Sequence, residues 1–407
     1  MGSFGIPTIE DIRRAAEVVK GKVNRTPIDH STTASHVFGA DVYFKLENLQ
    51  KTGSFKARGA LNKLASLTTR EKENGVIAVS AGNHAQGVAY AARMLGIKAK
   101  IVMPDFTTPA KVVAVEGYGA EVVLKGRDYN EAREYSLELA RGEEKTYIEG
   151  FNDPWVISGQ GTIGLEILED MPDVDAVIVP VGGGGLISGI ALAMKYLKPS
   201  IEIYGVQSEL IDSMKVSMEE GRITSHVTGE TIADGIAIKY PGDVTFEICQ
   251  RYVDRVVTVS DETLGLALYT MLERNKILVE PAAAAPLAAC LERKLDIRGK
   301  KVVMIVSGGN TNLLLLSKII YKTMELERML VRFEFKIPDR PGTLHTIASK
   351  ISEVGGNIYH AEVDNLSSDT PVGYQTVTFS VSLRGPGHAD ILERKLGELG
   401  YAFRVVN

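Results

Sequence analysis

Cysteine is almost missing from this chain: its 407 residues include two, Cys249 and Cys290. Neither belongs to a CxxC pair or falls at metal-ligand spacing, which excludes a disulfide framework and a cysteine-rich metal centre. Tryptophan occurs once. No apolar run approaches the roughly 18 residues that a membrane span requires. Residues 1–8 show no basic stretch followed by an apolar one, so a secretory leader is not expected. Long runs of one charge are also lacking. With a net charge of −5, the chain points away from nucleic acid as a partner. These absences leave a soluble protein, expected in the cytoplasm. What is present is a 44% apolar content, ample for a large core, in a chain long enough for two or three compact units.

Up to about residue 320, short apolar runs alternate with helix-period segments, as in a parallel α/β sheet. Strands are expected at 76–80, 100–103, 121–124, 176–181, 202–206, 255–259 and 302–306, with helices at 83–95, 186–196 and 261–276. Open α/β sheets bind ligands beyond the carboxyl ends of their strands, and the glycine-rich motifs fall at such ends. The pattern then changes. Residues 321–330 read as a charged linker helix. From Val331 a strand alternates apolar and polar residues to Ile337. It is followed by the turn Asp339-Arg340-Pro341-Gly342, a helix at 343–354 closed by Gly355-Gly356-Asn357, strands at 358–365 and 376–383, a helix at 388–397 and a strand at 401–406. That is βαββαβ, a small α+β second domain at 331–407.

The peptide Lys51-Thr52-Gly53-Ser54-Phe55-Lys56-Ala57-Arg58-Gly59-Ala60 sets one lysine between an aromatic ring and small residues. A reachable, partly desolvated lysine can attack a carbonyl in its neutral form, so Lys56 can hold an aldehyde cofactor as an imine. Taken alone it reads as a solvated surface lysine, the far commoner case. Three further motifs change that balance. Ser80-Ala81-Gly82-Asn83-His84-Ala85-Gln86-Gly87 joins a strand to a helix. There Asn83 caps the helix or offers an amide to a cofactor oxygen, and the helix start attracts a substrate carboxylate. Pro180-Val181-Gly182-Gly183-Gly184-Gly185-Leu186 offers successive N–H groups at a helix start, a phosphate cradle. Its spacing fails both the dinucleotide fingerprint and the nucleotide-triphosphate loop, which leaves a small phosphorylated cofactor. Ser307-Gly308-Gly309-Asn310 ends a strand and is either a plain turn or a hydroxyl facing a pyridine nitrogen.

Together these motifs resemble the fold-type II pyridoxal-phosphate (PLP) enzymes, the tryptophan-synthase-β-like family, and within it the threonine dehydratases. The resemblance covers residues 5–320. It includes Thr26-Pro27, Asn152-Asp153-Pro154, Gly159-Gln160-Gly161-Thr162 and Ala233-Asp234-Gly235 as well as the motifs above. It implies a two-subdomain fold with a catalytic unit at 1–320, in which a mobile small subdomain is inserted at roughly 45–150, and a linker at 321–330. It implies that Lys56 carries PLP, with Phe55 near the ring and Asn83 on its hydroxyl. Gly182, Gly183, Gly184, Gly185 and Leu186 would take the phosphate, and Ser307 the ring nitrogen. Ser80, Ala81, Gly82, His84 and Asn152 would bind the substrate. Residues 331–407 resemble an ACT domain, which implies an amino-acid effector, isoleucine or valine, near Gly342, Leu344, Asn357 and Ile358, and a homodimer or homotetramer.

The implied reaction is β-elimination: L-threonine gives 2-oxobutanoate and ammonia, and L-serine gives pyruvate. A neutral Ser307 makes the ring a weaker electron sink than an aspartate would, which suits prompt elimination. Serine racemase or serine dehydratase is the rival within the family. The racemases use a serine where this chain has Ala81, which argues against two-base racemisation. Gln207 stands where eukaryotic-type racemases place a metal-binding glutamate, so no divalent site is expected, and a monovalent cation stays open. In the segment Glu280-Pro281-Ala282-Ala283-Ala284 the chain has alanines where many threonine dehydratases have glycines. A catalytically inert amino-acid sensor is the alternative from another class.

Overall fold

A computed structural model describes residues 5–366 and 368–406. Residues 1–4 of the segment read for a leader, and residues 367 and 407 of the C-terminal segment, lie outside the described residues. The chain divides into two compact units, Met1–Thr311 and Asn312–Asn407. Among the described residues no helix is long and apolar enough to cross a membrane.

The first unit holds two sheets. One contains β1 (Ile28–His30), β2 (Asp41–Leu46), β7 (Ala176–Pro180), β8 (Glu202–Ser208), β9 (Arg255–Val259) and β10 (Lys301–Val306), in the order β1-β2-β10-β7-β8-β9. The other contains β3 (Val76–Val79), β4 (Ala99–Met103), β5 (Glu121–Leu124) and β6 (Thr146–Tyr147), in the order β5-β4-β3-β6. All pairings are parallel except that of β1 with β2. Every residue of β3 and β7 is buried, as expected where helices cover both faces and the strands read as unbroken apolar runs.

The apolar runs at 76–80 and 176–181 therefore became strands as read, within a residue or two at the ends. Strands β1, β2 and β6 were not anticipated. β1 has three residues and β6 two, too few to show a period. β2 is interrupted by Lys45, which is fully buried. Its Nζ donates to Glu166 Oε2 at 2.6 Å and to the Thr26 carbonyl at 2.7 Å. A charge inside a strand reads as a surface residue until its partners are known.

Two helices cross at backbone distance and fix the start of the Lys56–Ala65 helix. A Cβ added at Gly159, in the Pro154–Asp170 helix, would lie 2.6 Å from the Gly59 Cα. Only glycine permits that approach.

The second unit opens with the helix Leu313–Leu326. The reading from sequence set a helix at 321–330, where the charged residues lie. The helix starts earlier because the Asn312 side chain accepts hydrogen bonds from the Leu314 and Leu315 amides. It stops before Arg328, whose φ of 51° leaves the helical region. Then come β11 (Leu330–Pro338), the helix Thr343–Glu353, β12 (Asn357–Asp364), β13 (Tyr374–Ser382), the helix Pro386–Gly397 and β14 (Phe403–Val406). The strands form an antiparallel sheet in the order β12-β13-β11-β14. The order βαββαβ is the one read from the pattern. Phe333, Phe335, Ile337, Ile347, Ile351 and Phe379 are among the buried residues of its core.

Candidate active site

In the first unit the segments that follow β3, β6, β7 and β10 carry the sequence motifs, and short hydrogen bonds join several of them. The Phe55 amide donates to the Ser307 carbonyl at 3.1 Å, and the Gly309 amide to the Gly53 carbonyl at 2.9 Å. Asn310 Nδ2 donates to the Thr52 carbonyl at 2.7 Å and to Asn83 Oδ1 at 2.8 Å. Three segments far apart in sequence, at 52–56, 83 and 307–310, are thus held by direct hydrogen bonds.

Lys56 is the first residue of its helix, directly after the turn. Its Nζ donates to the Gly150 carbonyl at 2.6 Å and lies 5.3 Å from the centre of the Phe55 ring. Desolvation lowers its pKa to about 8, against the pull of the Glu280 carboxylate. A substantial fraction of the amine is therefore neutral near pH 8, the form that attacks carbonyls. His84, one residue beyond Asn83, is buried with Nε2 at 3.0 Å from the Ile148 carbonyl. Desolvation and the Lys56 charge push its pKa down to about 4, so it is a neutral ring at physiological pH.

Asn83 Nδ2 donates to both oxygens of Glu280, at 3.0 and 2.9 Å. Glu280 is buried at the start of the helix Pro281–Leu291. Desolvation pushes its pKa up to about 7, with Asp234 adding to the rise and Asn83, Lys56 and Lys111 opposing it. Glu280 is the main residue that the sequence reading did not assign. Its signal was a lone carboxylate ahead of the proline of a helix that is otherwise wholly apolar.

The glycine loop runs between β7 and the helix Gly185–Leu197. Gly184 has φ 94°, a conformation other residues rarely adopt. Among the described residues the N–H groups of Gly182, Gly183 and Gly184 donate to no protein acceptor. Gly183 and Gly184 are buried, and unpaired buried amides are costly. Phe151 backs the loop, and a Cβ at Gly183 would meet its ring at 2.4 Å. Among the described residues two hydroxyls nearby also have no protein partner: Ser54 Oγ is buried, and Ser307, just past β10, is a buried residue.

The remaining candidate residues are placed as follows. Ser80 Oγ accepts from the Gly82 amide at 3.1 Å, inside the turn. Ala81 packs on the core of the smaller sheet. Leu186 is buried in the core of the larger sheet. Asn152 Nδ2 donates to Asp243 at 2.7 Å and its Oδ1 accepts from the Val244 amide at 3.2 Å, so its side chain is engaged with the helix Asp243–Tyr252. In the second unit Gly342, with φ 91°, precedes the helix Thr343–Glu353 and Leu344 is exposed. Asn357 and Ile358 begin β12, beyond the other end of that helix. The structure does not bring the two pairs together within one chain. Among the described residues no group of three or more histidine, cysteine, aspartate or glutamate side chains is arranged to hold a metal.

Comparison with known proteins agrees with this geometry. The model of the pyridoxal-phosphate-dependent enzyme family matches residues 19–308. This chain belongs to that family. Among its members, an L-threonine ammonia-lyase from Thermotoga maritima is 43% identical over 399 residues, 98% of this chain and 99% of that protein. The structure of the processed form of threonine deaminase isoform 2 from Solanum lycopersicum is similar with a TM-score of 0.73 at 37% identity, covering 77% of this chain and 91% of that one. A maize serine racemase is similar with a TM-score of 0.74 at 37% identity, covering 79% and 99%. The residues present fit the family's cofactor: a lysine held partly neutral by burial, unpaired loop amides at a helix start suited to a phosphate dianion, and unpartnered hydroxyls at Ser54 and Ser307.

Proposed function

We propose that this chain is a PLP-dependent ammonia-lyase that converts L-threonine to 2-oxobutanoate and ammonia, and L-serine to pyruvate. The observation that carries this reading is the half-buried Lys56 amine, held at 2.6 Å from the Gly150 carbonyl and lowered to a pKa of about 8, among segments that also present unpaired loop amides. When bound, the cofactor supplies an aldehyde for the substrate amine and a ring that accepts electrons released at Cα. Lys56 would hold the cofactor and, as a free amine, would take the Cα proton. Gly182, Gly183, Gly184, Gly185 and Leu186 bind the phosphate. Phe55 would pack near the ring, Asn83, braced by Glu280 and Asn310, would orient the ring hydroxyl, and Ser307 would meet the ring nitrogen without carrying charge. The start of the helix Asn83–Leu95, with Ser80, Ala81 and Gly82, takes the substrate carboxylate, and His84 is a neutral wall beneath it. The β-hydroxyl would leave as water with a proton equivalent to the one Lys56 takes from Cα, and the released enamine would hydrolyse to the 2-oxo acid and ammonia.

Racemisation is the second reading, prompted by the similarity to maize serine racemase. Ala81 counts against it, because a methyl group cannot return a proton to the opposite face of Cα. The second unit, with its βαββαβ order, is read as an ACT domain that binds isoleucine or valine at Gly342, Leu344, Asn357 and Ile358. One effector touching both pairs would need two copies of the chain, which supports a homodimer or homotetramer. The two free cysteines suit a reducing compartment such as the cytoplasm.

The test is 2-oxo acid formation from L-threonine and L-serine, together with the visible absorbance of the holoenzyme. In Lys56→Ala both should vanish, a loss of at least about 10³-fold in rate for removal of a covalent and proton-transfer residue. Retained 2-oxo acid formation would refute the role of Lys56. A wild-type chain that binds isoleucine but forms no 2-oxo acid would make it a sensor.

A further inference from the structure

Four consecutive glycines, Gly182 to Gly185, hold a single conformation only if something outside the loop fixes them. Glycine loses more backbone freedom on ordering than any other residue, and among the described residues the Gly182, Gly183 and Gly184 amides donate to no protein acceptor. The hydroxyl that meets the loop comes from the helix Asp243–Tyr252. Thr245, fully buried, donates from Oγ1 to the Gly183 carbonyl at 2.6 Å and accepts from the Gly242 amide at 3.1 Å. In a planar trans peptide the C=O and the following N–H point in opposite directions. Fixing the Gly183 carbonyl toward Thr245 therefore turns the Gly184 N–H away from it, to the far side of the loop.

We propose that Thr245 is a positioning residue for the cofactor phosphate: its hydroxyl anchors the Gly183 carbonyl and thereby aims the Gly184 N–H at the phosphate. This rests on the reading of the glycine loop as the phosphate cradle. The anchor is itself fixed. Thr245 is β-branched and stiff at χ1. Its helix start is braced by Asn152, which holds Asp243 at 2.7 Å and the Val244 amide at 3.2 Å. A Cβ at Gly184 would lie 2.9 Å from the Thr245 Cβ and 2.6 Å from the Met214 Cε, so the loop already rests against this support. Asn152, expected at the substrate, then acts one step behind the phosphate.

The experiment titrates the full-length chain, freed of cofactor, with pyridoxal phosphate and separately with pyridoxal, which lacks the phosphate, following visible absorbance. Thr245→Val keeps the shape and removes the hydroxyl. Its affinity for pyridoxal phosphate should fall about tenfold, the worth of one hydrogen bond, with pyridoxal affinity unchanged. Thr245→Ser keeps the hydroxyl and should bind pyridoxal phosphate within about twofold of wild type on the same reasoning. If Thr245→Val loses both ligands alike, Thr245 supports the fold and the proposal fails. It fails equally if Thr245→Val binds pyridoxal phosphate as wild type does, or if Thr245→Ser behaves as Thr245→Val. A wild-type chain that binds pyridoxal as tightly as pyridoxal phosphate would remove the cradle, and the proposal with it. That outcome is read on the wild type alone, so it is distinct from the failures of Thr245.

Discussion

At the scale of single residues the site is a set of charges held away from their ordinary titration. Lys56 is lowered to about 8 and Glu280 raised to about 7, both by burial first, and each charge partly offsets the other's shift. Glu280 raises the Lys56 pKa, so removing its charge must lower it further. In Glu280→Gln the neutral Lys56 amine should persist to lower pH. The pH midpoint for capture of pyridoxal phosphate by the cofactor-free chain, followed by absorbance, should move to lower pH than in wild type. An unmoved midpoint would show that Lys56 does not feel the Glu280 charge. The same change gives Asn83 a neutral partner in place of a carboxylate that takes its amide on both oxygens. A hydrogen bond to a charged group contributes about 1.5–3 kcal/mol, so 2-oxo acid formation should fall about 10- to 100-fold. Lys56 was legible in the sequence because its neighbours Phe55, Gly53 and Ser54 are local. Glu280 was not, because its meaning depends on Asn83, 197 positions away, and on Lys56.

At the scale of elements, the Lys56–Ala65 helix is tethered through a buried charge near its start. Arg58 is fully buried and donates to Glu47 at 2.9 and 2.7 Å and to Glu166 at 2.6 and 3.0 Å. Thr26 donates to Glu47 at 2.5 Å, and Lys45 completes the balance on Glu166. The Arg58 guanidinium and hydrogen bonds hold the Glu47 carboxyl below its ordinary range despite its burial. Such a network adds little net stability when complete, but breaking it strands a buried charge. Arg58→Met should therefore lower the unfolding free energy by about 3–5 kcal/mol. The double variant Arg58→Met, Glu47→Gln should recover part of that loss, as measured by denaturant unfolding. Additive losses would mean the two groups are not coupled. The same network explains what the sequence pattern hid. Unbroken apolar strands such as β3 and β7 announce themselves, whereas β2 carries Lys45 and the helix carries Arg58, charges whose buried partners lie far along the chain. Thr245 was equally silent, since a threonine near the start of a helix reads as a local cap.

For the whole molecule, the change of hydrophobic period after residue 320 gave away the second unit, because an alternating strand and an Arg-Pro-Gly turn are local features. Its expected effector site was not legible as a site. β11 pairs with β13 from Leu330 with Ser382 to Pro338 with Tyr374, and β12 begins with Asn357 opposite Ser382. The turn leading to Gly342 follows Pro338, so Gly342 and Leu344 lie at one end of the sheet and Asn357 and Ile358 at the other. The helix Thr343–Glu353 between them spans roughly 16 Å at 1.5 Å per residue, farther than one amino acid reaches. A single effector touching all four residues must bridge two copies of the chain. Two results follow by mass action. Isoleucine or valine should shift the chain toward its paired form in sedimentation, more strongly as protein is diluted. Deleting residues 312–407 should abolish the effect of either amino acid on 2-oxo acid formation while the reaction itself continues. If the truncated chain still responds, the effector binds in the first unit. If the full chain responds while it sediments as a single copy, one copy suffices and the four residues do not form one site.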